Sequence, residues 1–268
     1  MVKIVNSCNI EEPNPRRDVL NLLRVAAGGT LSAPEAVKAG ALFGISENSM
    51  RVTLARLSRA GLVEAAERGL YRLGPAGLAI AADVGGWRDV QSRLVPWRGR
   101  WVAAATGGLP RSDRRKLRTR ARALSMLGMR ELEHGLFLRP DNLSGGVSAA
   151  RARLAGLGLE EGAAIFAIDD LDAARQAAAM ALWTPDEDDY LEAASRLDRW
   201  AEAAAALPLD IAARESFLLG DAAIRRIVFD PLLPTPLADE AARSAFLTAA
   251  LRFDDLGRRI WDDFLGRG

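Results

Sequence analysis

The sequence predicts an α+β chain of three domains: a winged helix-turn-helix, then a ferredoxin-like βαββαβ unit, then an all-helical domain. Three observations predict it. Residues 32–73 carry two short helical patterns joined at Gly44, followed by two apolar runs around a turn. Residues 100–168 alternate apolar runs and helical patterns in the order β-α-β-β-α-β, the split βαβ arrangement. From Asp172 onward only helical patterns remain. The expected divisions are a lead-in over 1–15, the winged helix over 16–85, the central domain over 86–171 and the helical domain over 172–268.

The lead-in holds two prolines and few apolar residues. A first helix over about 16–27 turns Val19, Leu20, Leu22 and Leu23 inward and ends at Gly28-Gly29. Ser32-x-x-Glu35 is a capping box with Pro34 in the first turn, so a second helix begins there. It buries Ala36, Val37, Leu42 and Phe43 and stops at Gly44. Ser46 caps a third helix over about 47–60 through its hydroxyl. Met50, Leu54 and Leu57 recur at i, i+4 and i+7 and form its core face. At about 100° per residue, Asn48, Val52, Ala55, Arg56 and Arg59 face outward, with Ser49 and Arg51 on the flanks. Gly61 fits a left-handed C-cap. Leu62–Ala65 and Leu70–Leu73 then flank Glu67-Arg68-Gly69 as a hairpin, the wing.

Gly- and Pro-rich residues 75–96 connect to the central domain, with a short helical pattern near Leu78–Val84. Arg100–Thr106 reads as a strand, Asp113–Leu127 as a helix, Met129–Glu133 and Leu136–Arg139 as strands hinged at His134-Gly135, Val147–Leu157 as a helix and Ala163–Ile168 as a buried strand. Helical patterns follow over about 172–182, 186–206, 209–228 and 236–264, broken at prolines.

The totals exclude several classes. No apolar run approaches the roughly 18–20 residues of a membrane span. The first fifteen residues lack the apolar core of a secretory leader, and Cys8 is the only cysteine, so a cytoplasmic setting without disulfides is expected. With one histidine, His134, a Cys/His zinc site cannot be built, and no metal is expected. No Gly-rich phosphate loop, GxSxG elbow or HExxH helix is present, so an enzyme is not expected. The net charge of +1 hides an asymmetry. Residues 1–141 hold 23 Lys and Arg against 13 Asp and Glu, a balance of +10, while residues 142–268 hold 13 against 22, a balance of −9. A basic front half suits a polyanion.

The outward face of the third helix has no carboxylate beyond its first turn and carries residue types that read bases: Asn pairs with adenine, Arg with guanine, and Val methyls pack on thymine. The DNA-contacting set expected from the sequence is Ser46, Asn48, Ser49, Arg51, Val52, Arg56 and Arg59 on the helix, with Arg68 and Arg72 of the wing on phosphate. A winged helix that binds protein instead is the alternative. The helix after Pro110 carries Arg111, Arg114, Arg115, Lys116, Arg118, Arg120 and Arg122. Arg114, Arg115, Arg118 and Arg122 are candidates for the phosphates of a nucleotide-like ligand such as coenzyme A; a solvated face is the alternative. Trp87, Trp97 and Trp101 are expected to fill the joint between domains, and Asp186–Asp189 to sit at a helix N-terminus.

Three blocks in order resemble the PaaX family of bacterial repressors of phenylacetate catabolism. They are LFGISENSMRVTLARLSRAGLV from Leu42 to Val63 with GLYRL after it; Trp97-x-x-x-Trp101 with the run from Leu117 through Gly128, Gly135 and Pro140; and DPLLPTPL from Asp230 to Leu237, preceded by Arg225-Arg226. The match spans nearly the whole chain. It departs from the family at Phe137, where a Trp is expected, and at Leu237-Ala238-Asp239-Glu240, which lacks a Trp-Pro-Gly-like continuation. The resemblance implies a homodimeric repressor whose winged helix binds double-stranded operator DNA. It also implies a central module similar to Cas2 endoribonucleases, no cofactor, and release from DNA by an aryl- or acyl-CoA such as phenylacetyl-CoA. A Cas2-like metal-dependent nuclease is the enzymatic alternative, but it needs an aspartate at the end of the first strand. Arg100–Thr106 has no acid, and the first to follow is Asp113.

Overall fold

The structure is a computed structural model that describes residues 15–67, 69–183 and 190–267. In chain order the elements are α1 (Pro15–Val25), β1 (Thr30–Ser32), α2 (Ala33–Ala41), α3 (Glu47–Arg59), β2 (Val63–Glu67), β3 (Leu70–Leu73), α4 (Pro75–Gly85) and β4 (Trp101–Ala105). Then come α5 (Arg114–Met126), β5 (Arg130–Glu133), β6 (Leu136–Pro140), α6 (Gly146–Gly156), β7 (Ala164–Ile168), α7 (Ala173–Met180), α8 (Tyr190–Ala203), α9 (Leu209–Val228) and α10 (Glu240–Leu265). The chain is a mostly helical α/β protein with two antiparallel sheets and a C-terminal helical region. No helix among the described residues is long and apolar enough to cross a membrane.

Residues 15–88, 192–225 and 246–267 form one compact unit, and residues 89–191 and 226–245 a second. This differs from three consecutive domains. The expected helical domain 172–268 is divided: its α7 and the segment around Asp230–Ala238 belong with the central sheet, while most of α8 and α9 and the later part of α10 belong with the N-terminal elements.

In the first unit Ser32 makes the capping box its spacing requires. The Glu35 amide donates to its Oγ at 3.3 Å, and its own amide donates to Glu35 Oε2 at 2.7 Å. The core joins Val19, Leu22 and Leu23 of α1, Leu31 of β1, Ala36 and Ala39 of α2, Met50, Leu54 and Leu57 of α3, and Val63 of β2, all buried. Leu20, Val37, Leu42 and Phe43, expected inside, are half-buried. The three-stranded sheet has the order β1-β3-β2, with Thr30 opposite Arg72 and Val63 opposite Leu73. β1 was not expected: three residues carry no periodicity, and only its partner β3 defines it as a strand. Phe43 meets Phe217 of α9 at 5.0 Å between ring centroids, Phe217 meets Trp261 of α10 at 5.9 Å, and Trp261 meets Phe264 at 5.6 Å. These contacts draw the last helices onto the first three.

The second unit is a four-stranded antiparallel sheet of order β5-β6-β4-β7. Alternation along β4 sends Val102 and Ala104 to one face, where they pack with Ala123, Leu124, Ala150 and Leu154 of α5 and α6. Trp101 and Ala103 go to the other face, with Ala179, Trp183, Leu233 and Leu237. Trp97 and Trp101, expected at a joint between domains, pack inside this unit instead: Trp101 stacks on Trp183 at 5.8 Å and meets the edge of Trp97 at 5.0 Å. The proline-rich block is therefore a strap across one sheet face. Leu232 adopts φ 54°, a left-handed conformation costly for a branched side chain. Its amide donates to Asp230 Oδ1 at 2.7 Å, and its carbonyl accepts from Asn142 Nδ2 at 2.6 Å.

On the other face, opposite Val102 and beside the start of the strap, lies Arg139, 3% exposed. Its guanidinium donates to the carbonyls of Leu127 (2.6 Å), Pro140 (3.1 Å) and Pro231 (3.3 Å) and to Asn142 Oδ1 (3.0 Å). Burial pulls its pKa down to about 10, so it stays charged at neutral pH. Gly128 has φ 68°, and a Cβ there would meet Pro231 Cβ at 2.8 Å, so the strap requires glycine at this point.

Candidate nucleic-acid interface

The helix α3 is positioned by its buried stripe, Met50, Leu54 and Leu57, and started by Ser46, whose Oγ accepts from the Ser49 amide at 3.3 Å. Asn48, Ser49, Arg51, Ala55, Arg56 and Arg59 are exposed, and Val52 is 40% exposed. The expected outer face is thus brought together on one surface. Its members differ in how they are held. Ser46 serves the helix cap. Arg51 reaches back one turn to Glu47 (Nε–Oε1 2.9 Å) in a solvent-exposed pair, which contributes little to stability. Among the described residues Arg56 and Arg59 have no ion-pair partner.

The hairpin differs from the expected wing in one respect. Arg72 lies on β3, the middle strand, and pairs with Glu64 directly across on β2 at 2.7 Å. It is exposed, and the solvent-exposed pair with Glu64 is a weak one. Arg68 lies outside the described residues, as do Asp186–Asp189. A register shift between Ala65 and Glu67 bends β2 as it approaches the turn.

On α5 the candidates Arg114, Arg115, Arg118 and Arg122 are all exposed, and Asp113 caps the helix by accepting from the Arg115 and Lys116 amides at 2.8 and 3.2 Å. Those two amide bonds hold the Asp113 carboxyl below its ordinary pKa. Arg120 leaves the basic face altogether. It is 7% exposed, paired with Glu160 at 2.7 and 3.1 Å and donating to the Pro110 carbonyl at 3.0 Å. Its guanidinium holds the Glu160 carboxyl below the usual range. Beside α5 a groove of about 150 Å³ opens toward the β5–β6 hairpin. Leu117, Ala121, Leu124 and Phe137 give it an apolar floor, with Arg111 and Glu131 among its polar walls. Arg111 touches His134 (Nη1–Nε2 2.6 Å). Gly135 turns the hairpin at φ 75°, and a Cβ on it would meet the Gly107 backbone at 2.5 Å. The sequence marks the arginines of this region but not the groove, because Phe137 and Leu117 meet only once the sheet has formed. Among the described residues no group of three His, Cys, Asp or Glu side chains is arranged to hold a metal ion.

The scaffold behind α3 is tied to the end of α10. Arg267 donates to Glu35 Oε1 and Oε2 at 2.6 and 2.8 Å and to the Thr30 carbonyl at 2.8 Å. Lys38 donates to the Phe264 carbonyl and lies 4.6 Å from the centre of its ring. The Arg267 bonds lower the Glu35 pKa from 4.5 to about 2. A depressed carboxylate stabilises the folded state fully above its unfolded pKa and ceases to as pH falls through the folded one. The pair should thus support the first unit above about pH 4.5 and be lost between about 4.5 and 2. Arg267→Ala is expected to cost about 2 kcal/mol at pH 7, allowing for partial exposure, and much less at pH 2.5. Urea unfolding at both pH values checks this; an equal loss at both counts against the pair.

The geometry defines a class first: a mostly helical α/β chain with two antiparallel sheets and a C-terminal helical region. No family model matches the chain, and no curated protein matches it. Among solved structures it is similar to the uncharacterized protein Rv0674 from Mycobacterium tuberculosis, with 27% identity and a TM-score of 0.56 over 91% of this chain and 98% of that one. The likeness thus extends over nearly the full length of both.

Proposed function

We propose that the chain is a ligand-responsive DNA-binding transcriptional repressor of the PaaX type, a cytoplasmic homodimer acting on a catabolic operon. In this reading α1 to β3 form a winged helix-turn-helix whose α3 enters the major groove. The sheet β4 to β7 with α5 and α6 is a ferredoxin-like module; its strand order, with β6 of the second βαβ half between β5 and β4 of the first and β7 outside β4, supports that. One observation carries the proposal. The surface of α3 opposite its buried stripe is exposed, acid-free beyond the first turn, and holds Asn48, Val52, Arg56 and Arg59 together.

The groove beside α5 supports an aryl- or acyl-CoA effector such as phenylacetyl-CoA. A groove of about 150 Å³ has room for a benzene-sized group; its own exposed cation is Arg111, while Arg114, Arg115, Arg118 and Arg122 do not line it and stand exposed elsewhere on α5, open to more distant phosphates. The Cas2-like nuclease reading has less support: Thr106 stands at the end of β4, where that chemistry needs an acid. An assembly module without DNA would bind its partner with little dependence on salt.

Mobility shifts on the promoter region next to the chain's own gene test the proposal. Binding is expected to weaken as salt rises, with a log–log slope near −0.9 per phosphate contact, and to be released by at least one member of a panel of acyl-CoA thioesters. No shift at low salt would refute the DNA reading. A shift that no thioester reverses would refute the effector class alone.

A further inference from the structure

We propose that the arginine row of α5 is a second DNA-binding surface, which holds the phosphates of a duplex backbone without reading its sequence. At about 100° per residue, Arg114, Arg115, Arg118 and Arg122 fall within an arc of about 100°. All four are exposed, and the arc lies opposite the buried side of the helix, Arg120, Ala123 and Leu124. Arg114, Arg118 and Arg122 stand about 6 Å apart along the axis, a straight row of about 12 Å. The four do not line the groove beside α5, so the row is a separate surface.

The row works against its own helix. Arg114 with Arg118 and Arg118 with Arg122 are like-charged pairs at i,i+4, which weaken a helix. Arg114, Arg115 and Lys116 crowd the first turn, the positive end of the helix dipole, while the last turn holds no basic residue. Three other helices set an arginine against an acid one turn away: Arg51 with Glu47, Arg225 with Asp221 and Arg258 with Asp254. On α5 only Arg120 has such a partner among the described residues, Glu160, and it lies on the buried side. Cations kept together at a cost to the helix suit a polyanion that meets all of them at once. The neighbours decide which one. The arc holds no aromatic ring on which a single strand would stack and no large apolar residue to enter a membrane; Ala121 and Ser125 are its other exposed residues. It holds no Asn or Gln to read a base edge, whereas the guanidinium fork fits phosphate. A DNA duplex presents about one negative charge per 1.7 Å of axis, about seven over the length of the row. The choice of duplex DNA rests on the operator reading, but the contact does not require α3.

Fluorescence anisotropy of the full chain with a short labelled duplex of scrambled sequence, from about 50 to 200 mM salt, tests this. Arg114→Gln, Arg118→Gln and Arg122→Gln together are expected to make the log–log salt slope shallower by about 2 to 3, at about 0.9 per phosphate contact. The melting temperature of that variant should be no lower than the parent's. Arg199→Gln, Arg252→Gln and Arg259→Gln together remove the same charge from exposed positions of α8 and α10, and are expected to leave the slope at the parent's value. If the α5 variant melts lower, cross-linking decides: Arg118→Cys in a Cys8→Ser background, carrying a photoactivatable label, is expected to capture the scrambled duplex, and Arg252→Cys in the same background is not. Equal slopes in the two triple variants, or no capture from position 118, would overturn the proposal. So would an α5 variant that keeps the parent's slope but loses coenzyme A in calorimetry, since the row would then hold that ligand. A parent chain that binds no duplex at low salt sinks both this inference and the operator reading. A parent that binds the scrambled duplex as tightly as its promoter fragment, with the α5 slope change present, sinks the operator reading alone.

Discussion

Arg139→Ala is expected to destabilise the second unit by about 3–5 kcal/mol. The side chain is buried and donates to three backbone carbonyls and to Asn142. Alanine removes those donors together, leaves the carbonyls of Leu127 and Pro231 without this partner, and opens a cavity between the end of α5 and the start of the strap. Because Asn142 in turn holds the Leu232 carbonyl, the strained turn at Leu232 loses support at the same time. For a chain of this size the loss should lower the melting temperature by roughly 10 °C. Hydrogen exchange should speed up in β6 and in the 230–238 segment before it changes in α1 to α3. Arg139→Lys keeps the charge but not the planar fork, so only part of the stability should return. A melting temperature within 2–3 °C of the parent, well below the roughly 10 °C expected, would mean that solvent or a rearranged strap satisfies these carbonyls.

The second large effect concerns binding. Arg56→Ala is expected to weaken affinity for the cognate operator by about 10- to 100-fold, corresponding to the 1–3 kcal/mol of a base-edge arginine, with no change in melting temperature. Its side chain is exposed and makes no ion pair among the described residues, so the fold does not depend on it. Arg51→Ala should cost less. Its guanidinium is already shared with Glu47, and releasing it to DNA means giving up that pair first. If Arg56 reads a base, the loss is concentrated at one position of the operator; if it meets phosphate, the loss is uniform and the salt slope falls by about one. Unchanged affinity in a gel-shift titration would remove α3 as the reader.

Most of the local structure was legible because local chemistry sets it. Ser32 and Glu35 cap α2, Ser46 caps α3 and Asp113 caps α5, and these spacings are visible in the bare sequence. So are β4, β6 and β7, whose apolar runs are bounded by glycine, charge or proline, whereas β5 holds Leu132 among three charges and is marked only by the His134-Gly135 turn after it. What was not legible depends on partners far along the chain. Nothing near Phe43 announces Phe217, and nothing near Glu35 announces Arg267. The third domain was therefore drawn as one block, although its helices serve two units. The same holds at the candidate site. Helical periodicity put the correct side of α3 outward, but it could not show that Arg72 is held by Glu64 or Arg120 by Glu160, because those pairs exist only after strands and helices have docked. A charge set within an apolar strand, as Arg139 is between Leu138 and Pro140, is the one local sign in the sequence of the buried network around it.

The discontinuous first unit has a consequence for the order in which this protein is made. Residues 15–88 leave the ribosome long before Phe217, Trp261 and Arg267 exist. At about 10 residues per second, some 18 seconds separate the end of α4 from the end of α10. Phe43 lacks its aromatic neighbour for about 13 of those seconds, and Glu35 its arginine for all of them. A nascent chain therefore carries a half-finished head, sticky at the Phe43 surface and in need of shelter by chaperones, until the final helix has emerged and closed over it.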